Sequence, residues 1–180
     1  MLPYRYINHD ELAALVHAGA TAGPEAAKKY VVVDVRDEDY EGGNIPGAIR
    51  APSDARTDAS IKALVEQLKD VPRVVFHCSL SQVRGPKTAR IYAEALADYK
   101  RAQFATSSDS PAAMSSSSSA DVLPNPYPQE PKEGEQQVLV LRDGFKNWQG
   151  LYRNDPILVE NWDARAWQEY TPFGPSGRGW

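Results

Sequence analysis

The stretch RVVFHCSLSQVRGP, residues 73–86, decides the fold because it changes from one type of structure to another within a few residues. Its apolar run, Val74 to Phe76, predicts a buried strand. From Lys87 to Arg101 the apolar residues recur with helical spacing, at Ala89, Tyr92, Ala93 and Leu96. Residues 79–83 must therefore form a tight loop that joins a strand to a helix.

The only cysteine of the chain, Cys78, stands where this strand ends. Pro86 suits the first turn of a helix, and we expect Gly85 to let the chain turn sharply. In such a loop the backbone N–H groups converge at the helix N-terminus and form a nest for a tetrahedral oxyanion. The sequence thus predicts an anion site with a thiol at its base.

Two neighbours of the thiol support a chemical role. Arg84 carries a permanent charge and a planar fork that can bind two oxygens of a phosphate-like group. A thiolate is favoured at a helix N-terminus beside a cation, where it can attack a bound phosphorus in line. His77 either orients Cys78 through hydrogen bonds or is a structural residue at the strand end. The alternative for Cys78 itself is a small buried hydrophobic residue.

Outward from this stretch, strand-like and helix-like segments alternate, which predicts an α/β domain. The five strand-like segments are YRYI at 4–7, YVVVDV at 30–35, AIRA at 48–51, RVVFH at 73–77 and QVLVL at 137–141. Three of them are almost continuously apolar, as in a parallel sheet covered on both faces.

Three further helices are predicted. The first begins at Asn8, which can cap it with Glu11 completing a capping box, and its inward face is Leu12, Leu15 and Val16. A second has the apolar pattern Ile61, Leu64, Val65 and Leu68. The last is expected around DARA, between Trp162 and Trp167, packed on the domain and followed by a glycine-rich tail.

Residues 103–136 differ in composition from the rest and are rich in serine, proline and acidic residues. Such a segment cannot bury enough apolar area to offset its ordering entropy, so we expect a flexible insertion. Residues 1–180 otherwise form one domain, because the chain has 180 residues, 42% of them hydrophobic.

Composition also limits the partners and the compartment. The net charge of −4 does not favour nucleic acid or acidic membrane as a partner, and no apolar run approaches the length of a membrane span. A single cysteine excludes an internal disulfide framework and any multi-cysteine zinc site. We therefore expect a protein of a reducing compartment, the cytoplasm with the nucleus as a further location.

Three segments together carry a resemblance: HCSLSQVRGP at 77–86, VVDVRDEDYEGGNIPGA at 32–48 and LRDGFKNW at 141–148. They resemble the rhodanese-fold phosphatases of the M-phase inducer type, especially their small single-domain fungal relatives, which include arsenate reductases. The resemblance implies a rhodanese-like domain with a five-stranded, mostly parallel sheet flanked by helices on both faces. It also implies a cysteinyl-phosphate intermediate and no metal or organic cofactor.

The same resemblance assigns roles by position. Cys78 would be the nucleophile and Arg84 the clamp on the oxyanion. Backbone amides of the loop would hold the substrate, contributed by Ser79, Leu80, Ser81, Gln82 and Val83. Asp34 and Arg36 would brace the region where strand becomes turn.

The chain also departs from the kinase-directed members of that group. Those members carry acidic side chains within the loop, where this chain has Ser79 and Val83, and they have a second cysteine that this chain lacks. No general acid is identified, because the acidic run at 34–41 is typical of a solvated turn. Ser81 is expected to donate a hydrogen bond to the thiolate and help it leave.

Several functions fit these residues. The first is a phosphatase acting on phosphotyrosine or related phosphoesters, in a phosphorylated protein or a small molecule. The alternative is an arsenate reductase that uses glutathione and a glutaredoxin as external reductants. Sulfur transfer and an inactive binding module are less favoured, since a rhodanese loop is one residue shorter and an inactive module would be expected to lose Cys78 or Arg84. The oligomeric state is left open.

Overall fold

The structure, a computed structural model, describes residues 2–22, 29–107 and 135–168. In chain order the elements are β1 (Arg5–Ile7), α1 (His9–Thr21), β2 (Val31–Asp34), β3 (Ile49–Arg50), α2 (Asp58–Leu68), β4 (Arg73–His77), α3 (Arg84–Ser107), β5 (Gln137–Leu141) and α4 (Gly144–Tyr152). Two 3₁₀ turns occur among these residues, at Glu38–Tyr40 and Ala164–Trp167.

The five strands form one sheet in the order β1-β5-β4-β2-β3, and every neighbouring pair is parallel. In the register, Phe76 of β4 lies between Val33 of β2 and Val140 of β5. The predicted α/β class and parallel five-stranded sheet are therefore confirmed. Because all strands run the same way, the segments that follow β2, β4 and β5 meet at one edge of the sheet.

Helices cover both faces of this sheet, as predicted. Side chains of β4 alternate between the two sides, so that Val75 packs in one apolar cluster and Phe76 in the other. The cluster under α1 and α4 includes Leu12, Val16, Phe145 and Trp148, and the cluster under α2 and α3 includes Leu64, Val65, Tyr92 and Leu96.

The first helix begins as its sequence predicts. The Glu11 carboxylate accepts a hydrogen bond of 2.9 Å from the Asn8 backbone N–H, which ties the helix start to its own first turn. No helix of the described part of the chain is both long and apolar enough to cross a membrane.

Three expectations differ from the structure. α3 continues to Ser107, so residues 103–107 are helical and not part of an insertion, while residues 108–134 of the predicted insertion lie outside the described residues. At its other end Gln136 is buried and accepts a hydrogen bond from the Tyr92 hydroxyl. The expected last helix is a single 3₁₀ turn over the described residues, and α4 was not predicted.

Candidate active site

The loop from Cys78 to Val83 connects β4 to α3, as predicted. Its reversal takes place at Ser81, whose φ of 51° lies in the left-handed region. Gly85 does not make this turn, contrary to expectation, because it is already helical and has no positive φ. The Ser81 conformation lets its backbone N–H donate a 3.2 Å hydrogen bond to Cys78 Sγ. Ser81 was expected to donate a hydrogen bond to the thiolate. In the structure its backbone amide, and not its hydroxyl, donates to Cys78 Sγ.

Cys78 is 3% exposed and also packs against the apolar cluster beneath α2 and α3. The loop that surrounds it still has hydrogen-bonding capacity. Within the described ranges, no protein atom accepts a hydrogen bond from the backbone N–H of Ser79, Leu80, Gln82 or Val83. Because unpaired backbone donors are costly unless water or a ligand meets them, this loop is suited to bind an acceptor-rich group.

The start of α4 braces the loop from the neighbouring strand end. Phe145 N–H donates to the Cys78 carbonyl and Lys146 N–H to the Ser79 carbonyl, each at 2.9 Å. Gly144 makes this approach possible, since a Cβ on it would lie 2.5 Å from both carbonyl oxygens. Sequence reasoning missed this residue, although the Asp143-Gly144 pair is a common signal of a left-handed turn.

Arg84 lies at the loop as predicted, but carboxylates from another segment occupy its guanidinium. Nη1 donates to Asp37 at 3.0 Å and to Asp39 at 2.7 Å, and Nη2 donates to the second oxygen of Asp39. The acidic run is a partly exposed turn, as interpreted, but these two residues are also paired with Arg84, which the interpretation did not include. The reason is tertiary, because the 3₁₀ turn after β2 faces the start of α3 across the sheet edge.

Asp39 also reaches the first side chain of the loop. The Ser79 hydroxyl donates to Asp39 Oδ2, the same oxygen that accepts from Arg84 Nη2. These bonds, that from Arg84 first, lower the pKa of the Asp39 carboxyl below its usual range, against the opposing effect of burial. The bond to Asp39 in turn raises the pKa of Arg84, so the pair is charged on both sides.

A buried ion pair lies behind the loop. Arg36 and Asp34 are both inaccessible to solvent, and Arg36 Nη2 donates to Asp34 Oδ2 at 2.6 Å and to the Gly43 carbonyl at 2.8 Å. The guanidinium also stacks on the Phe145 ring, 4.0 Å from its centroid. These contacts agree with the bracing role that the sequence suggested for the pair.

His77 belongs to the same buried region and does not contact the sulfur. Its Nδ1 lies 3.4 Å from the Cys78 carbonyl oxygen, and its Nε2 lies 3.6 Å from Asp34 Oδ2. Burial lowers the pKa of His77, against the attraction of Asp34, so the ring is neutral at physiological pH. Of the two roles weighed for this residue, the structural one fits these contacts.

The remaining predicted loop residues differ in exposure. Ser81 is buried, whereas Leu80 and Val83 turn their side chains to solvent, so they contribute to the loop through the backbone. Beside the loop lies a cavity of about 360 Å³, lined by Glu38, Asp39, Glu41, Ser79, Lys146, Ala166 and Trp167. Within the described residues no cluster of three or more His, Cys, Asp or Glu side chains could hold a metal ion.

Comparison with known proteins agrees with this geometry. Residues 9–151 match the family model of the rhodanese-like domain. The dual specificity phosphatase ibp1 of Schizosaccharomyces pombe is 33% identical over 136 residues, which cover 76% of this chain and 86% of the relative. The CDC25-like phosphatase YCH1 of Saccharomyces cerevisiae is 26% identical over 175 residues, or 91% of this chain and 94% of the relative.

The similarity to reductases is found in a solved structure. An As-Sb reductase from Leishmania major superposes with a TM-score of 0.59 and 26% identity, covering 87% of this chain and 84% of that one. Phosphatases and a reductase thus share this chain's fold and part of its sequence. The chain belongs to the rhodanese-like domain family.

Proposed function

We propose that the protein is a cysteine-dependent phosphatase acting on phosphotyrosine or related phosphoesters. One observation carries this proposal: a thiol that accepts a loop amide hydrogen bond lies at the start of a helix whose first residue is Arg84. The loop between them leaves four further backbone donors without a described protein acceptor. The phosphatase relatives that align over most of this chain support the same chemistry.

The reaction proceeds in two displacements at phosphorus. The Cys78 thiolate forms an S–P bond while the ester P–O bond breaks, and the leaving oxygen takes a proton from solvent or an acid in the site. Loop amides and Arg84 stabilise the charge on the equatorial oxygens. Water then attacks phosphorus, the S–P bond breaks, and the Ser81 N–H stabilises the departing thiolate. No metal or organic cofactor takes part in this scheme.

The rest of the substrate would lie in the openings beside the loop. The cavity at Ser79 shares Trp167 with a larger one of about 600 Å³, which Leu80 also lines. Trp162 and Lys146 also line this larger opening. Its size suits a phosphorylated side chain of a protein or a small phosphoester. The single cysteine, proposed as the catalytic thiol, supports a location in a reducing compartment, the cytoplasm or nucleus.

Arsenate reduction is the second candidate, favoured by the similarity to the As-Sb reductase. Here Cys78 displaces water from arsenate and forms an S–As bond. Glutathione then supplies the second thiol, arsenic accepts two electrons and leaves as arsenite, and Cys78 remains in a mixed disulfide with glutathione. A glutaredoxin with another glutathione reduces that disulfide, because the chain holds no second cysteine.

One assay set separates these reactions. Purified protein is given p-nitrophenyl phosphate, arsenate with glutathione and glutaredoxin, or thiosulfate with cyanide, each beside the Cys78→Ser and Arg84→Ala variants. We expect phosphate release by the parent protein and none above background by either variant. Phosphate release that survives Cys78→Ser would refute the mechanism. Arsenate turnover without phosphate release would favour the second candidate.

A further inference from the structure

The carboxylate of Asp39 binds two of the donors that a substrate oxyanion at the loop would use, the Arg84 guanidinium and the Ser79 hydroxyl. Its Oδ2 accepts from two groups at opposite ends of the loop sequence, the Ser79 hydroxyl and Arg84 Nη2. Its Oδ1 accepts from Arg84 Nη1 at 2.7 Å. Two oxygens on one planar group thus occupy the guanidinium fork, which is the arrangement that Arg84 offers to two oxygens of a phosphate-like group.

An oxyanion and Asp39 therefore compete for the same donors. The Nη2 group and the Ser79 hydroxyl cannot direct the same N–H or O–H to two acceptors at full strength. Binding of a tetrahedral anion that engages Arg84 requires Asp39 to give up at least part of these bonds. The free energy lost with these hydrogen bonds weakens the binding of the anion.

Asp37 and Asp39 differ in how firmly the rest of the fold holds them. Asp37 also accepts hydrogen bonds from the Ser53 hydroxyl at 2.7 Å and from the Asp54 backbone N–H at 3.0 Å. Apart from Arg84 and Ser79, Asp39 accepts only from the neighbouring Asp37 N–H, among the described residues. It also lies on a three-residue 3₁₀ turn with 40% of its side chain exposed. Asp39 is thus the carboxylate that can move away from Arg84, while Asp37 remains hydrogen-bonded to it.

We propose that Asp39 is an internal ligand of Arg84 and the Ser79 hydroxyl, which holds these two donors in the free protein and must release at least part of them when a substrate oxyanion binds. This inference rests on the anion site of the proposed function but not on turnover. Asp39 holds Arg84 beside the loop and weakens the binding of every tetrahedral oxyanion. The lowered pKa of its carboxyl is consistent with a charged ligand at physiological pH.

The test is the affinity for tungstate, a tetrahedral dianion that needs no chemical step. Its dissociation constant is measured by isothermal titration calorimetry for the parent protein and for Asp39→Asn. We expect Asp39→Asn to bind tungstate about tenfold more tightly, the effect of releasing roughly one hydrogen bond to a charged group. With p-nitrophenyl phosphate the same variant should lower KM without raising kcat.

Glu38→Gln is the matched control, because it removes the same charge from the same turn at a residue that, within the described part of the chain, is not paired with Arg84. The titrations are repeated at high salt, where a general charge effect is screened but displacement of a bound carboxylate is not. Asp39→Ser provides a second neutral variant if Asp39→Asn does not fold.

Equal or weaker tungstate binding by folded Asp39 variants, or an equal gain in Glu38→Gln, would overturn the proposal. That result would leave Asp39 as a support for Arg84. Failure of the proposed function is a separate outcome. It would be seen as phosphate release that persists in the Cys78→Ser variant, whatever the tungstate titrations show. Conversely, Cys78-dependent turnover with no gain in Asp39→Asn would refute the internal-ligand inference alone.

Discussion

Substitution of Gly144 by alanine should damage the active-site loop from a position that takes no part in the chemistry. Gly144 has a φ of +63°, a conformation that disfavours any residue with a Cβ. The added Cβ would lie 2.5 Å from the carbonyl oxygens of both Cys78 and Ser79, which are backbone atoms. Because a rotamer change cannot remove this overlap, either the loop or the start of α4 must move.

The magnitude follows from two contributions. The left-handed backbone costs an alanine about 1–2 kcal/mol, and forced displacement in a packed region costs about 1–3 kcal/mol. We therefore expect the free energy of unfolding to fall by about 2–5 kcal/mol. Ordinary contact requires the loop to shift by roughly 1 Å, and a misplacement of that size lowers turnover by about 100-fold.

Urea denaturation and p-nitrophenyl phosphate turnover measure the two effects, and two glycines serve as controls. Gly150, also in α4, has open space at its Cβ position, so Gly150→Ala should be neutral or stabilising by up to about 1 kcal/mol. Gly47 has open space but a φ of +71°, so Gly47→Ala isolates the backbone strain. If Gly144→Ala is no less stable than Gly47→Ala and is fully active, the bracing of Cys78 by α4 is refuted.

Two further predictions concern charged groups. Asp34→Asn should lower the free energy of unfolding by about 3–5 kcal/mol, because it leaves the Arg36 charge buried without its partner. The control Asp98→Asn, in an exposed pair with Arg101, should change it by less than about 1 kcal/mol. Equal effects of the two substitutions in urea denaturation would contradict this account. The pKa of Asp39 is lower in the folded than in the unfolded protein, so its contribution to stability is present above the ordinary carboxyl pKa of 3.8 and is lost as pH falls. The difference in urea midpoint between the parent protein and Asp39→Asn should therefore be constant from pH 5 to pH 8 and shrink below about pH 4, and a difference that grows in acid would show the opposite linkage.

The strands and the nucleophile loop could be read from the sequence because their signals are local. Segments 73–77 and 137–141 were predicted with the bounds that the structure has, since a strand buried on both faces is apolar at most positions. Cys78 and Arg84 are separated by one short loop, so the end of a strand and the start of a helix bring them together.

Other features could not be read because they depend on contacts between distant segments. α4 was not predicted because it has only nine residues, GFKNWQGLY, and two of them are glycines. The packing of Phe145 and Trp148 in the core stabilises this short helix. Gly85 seemed to be the turning residue from its type alone, whereas the structure places the turn at Ser81.

The order of residues along the chain settles where strands occur, that they form a parallel sheet, and which thiol and guanidinium lie at its edge. Periodicity and spacing carry this information, because both act over a few residues. The chain folding back on itself settles what surrounds them: Gly144 beneath the loop, and Asp39 on Arg84, 45 residues away in sequence. Such contacts leave no periodic trace, since their energy arises between segments that approach each other only when the sheet has formed.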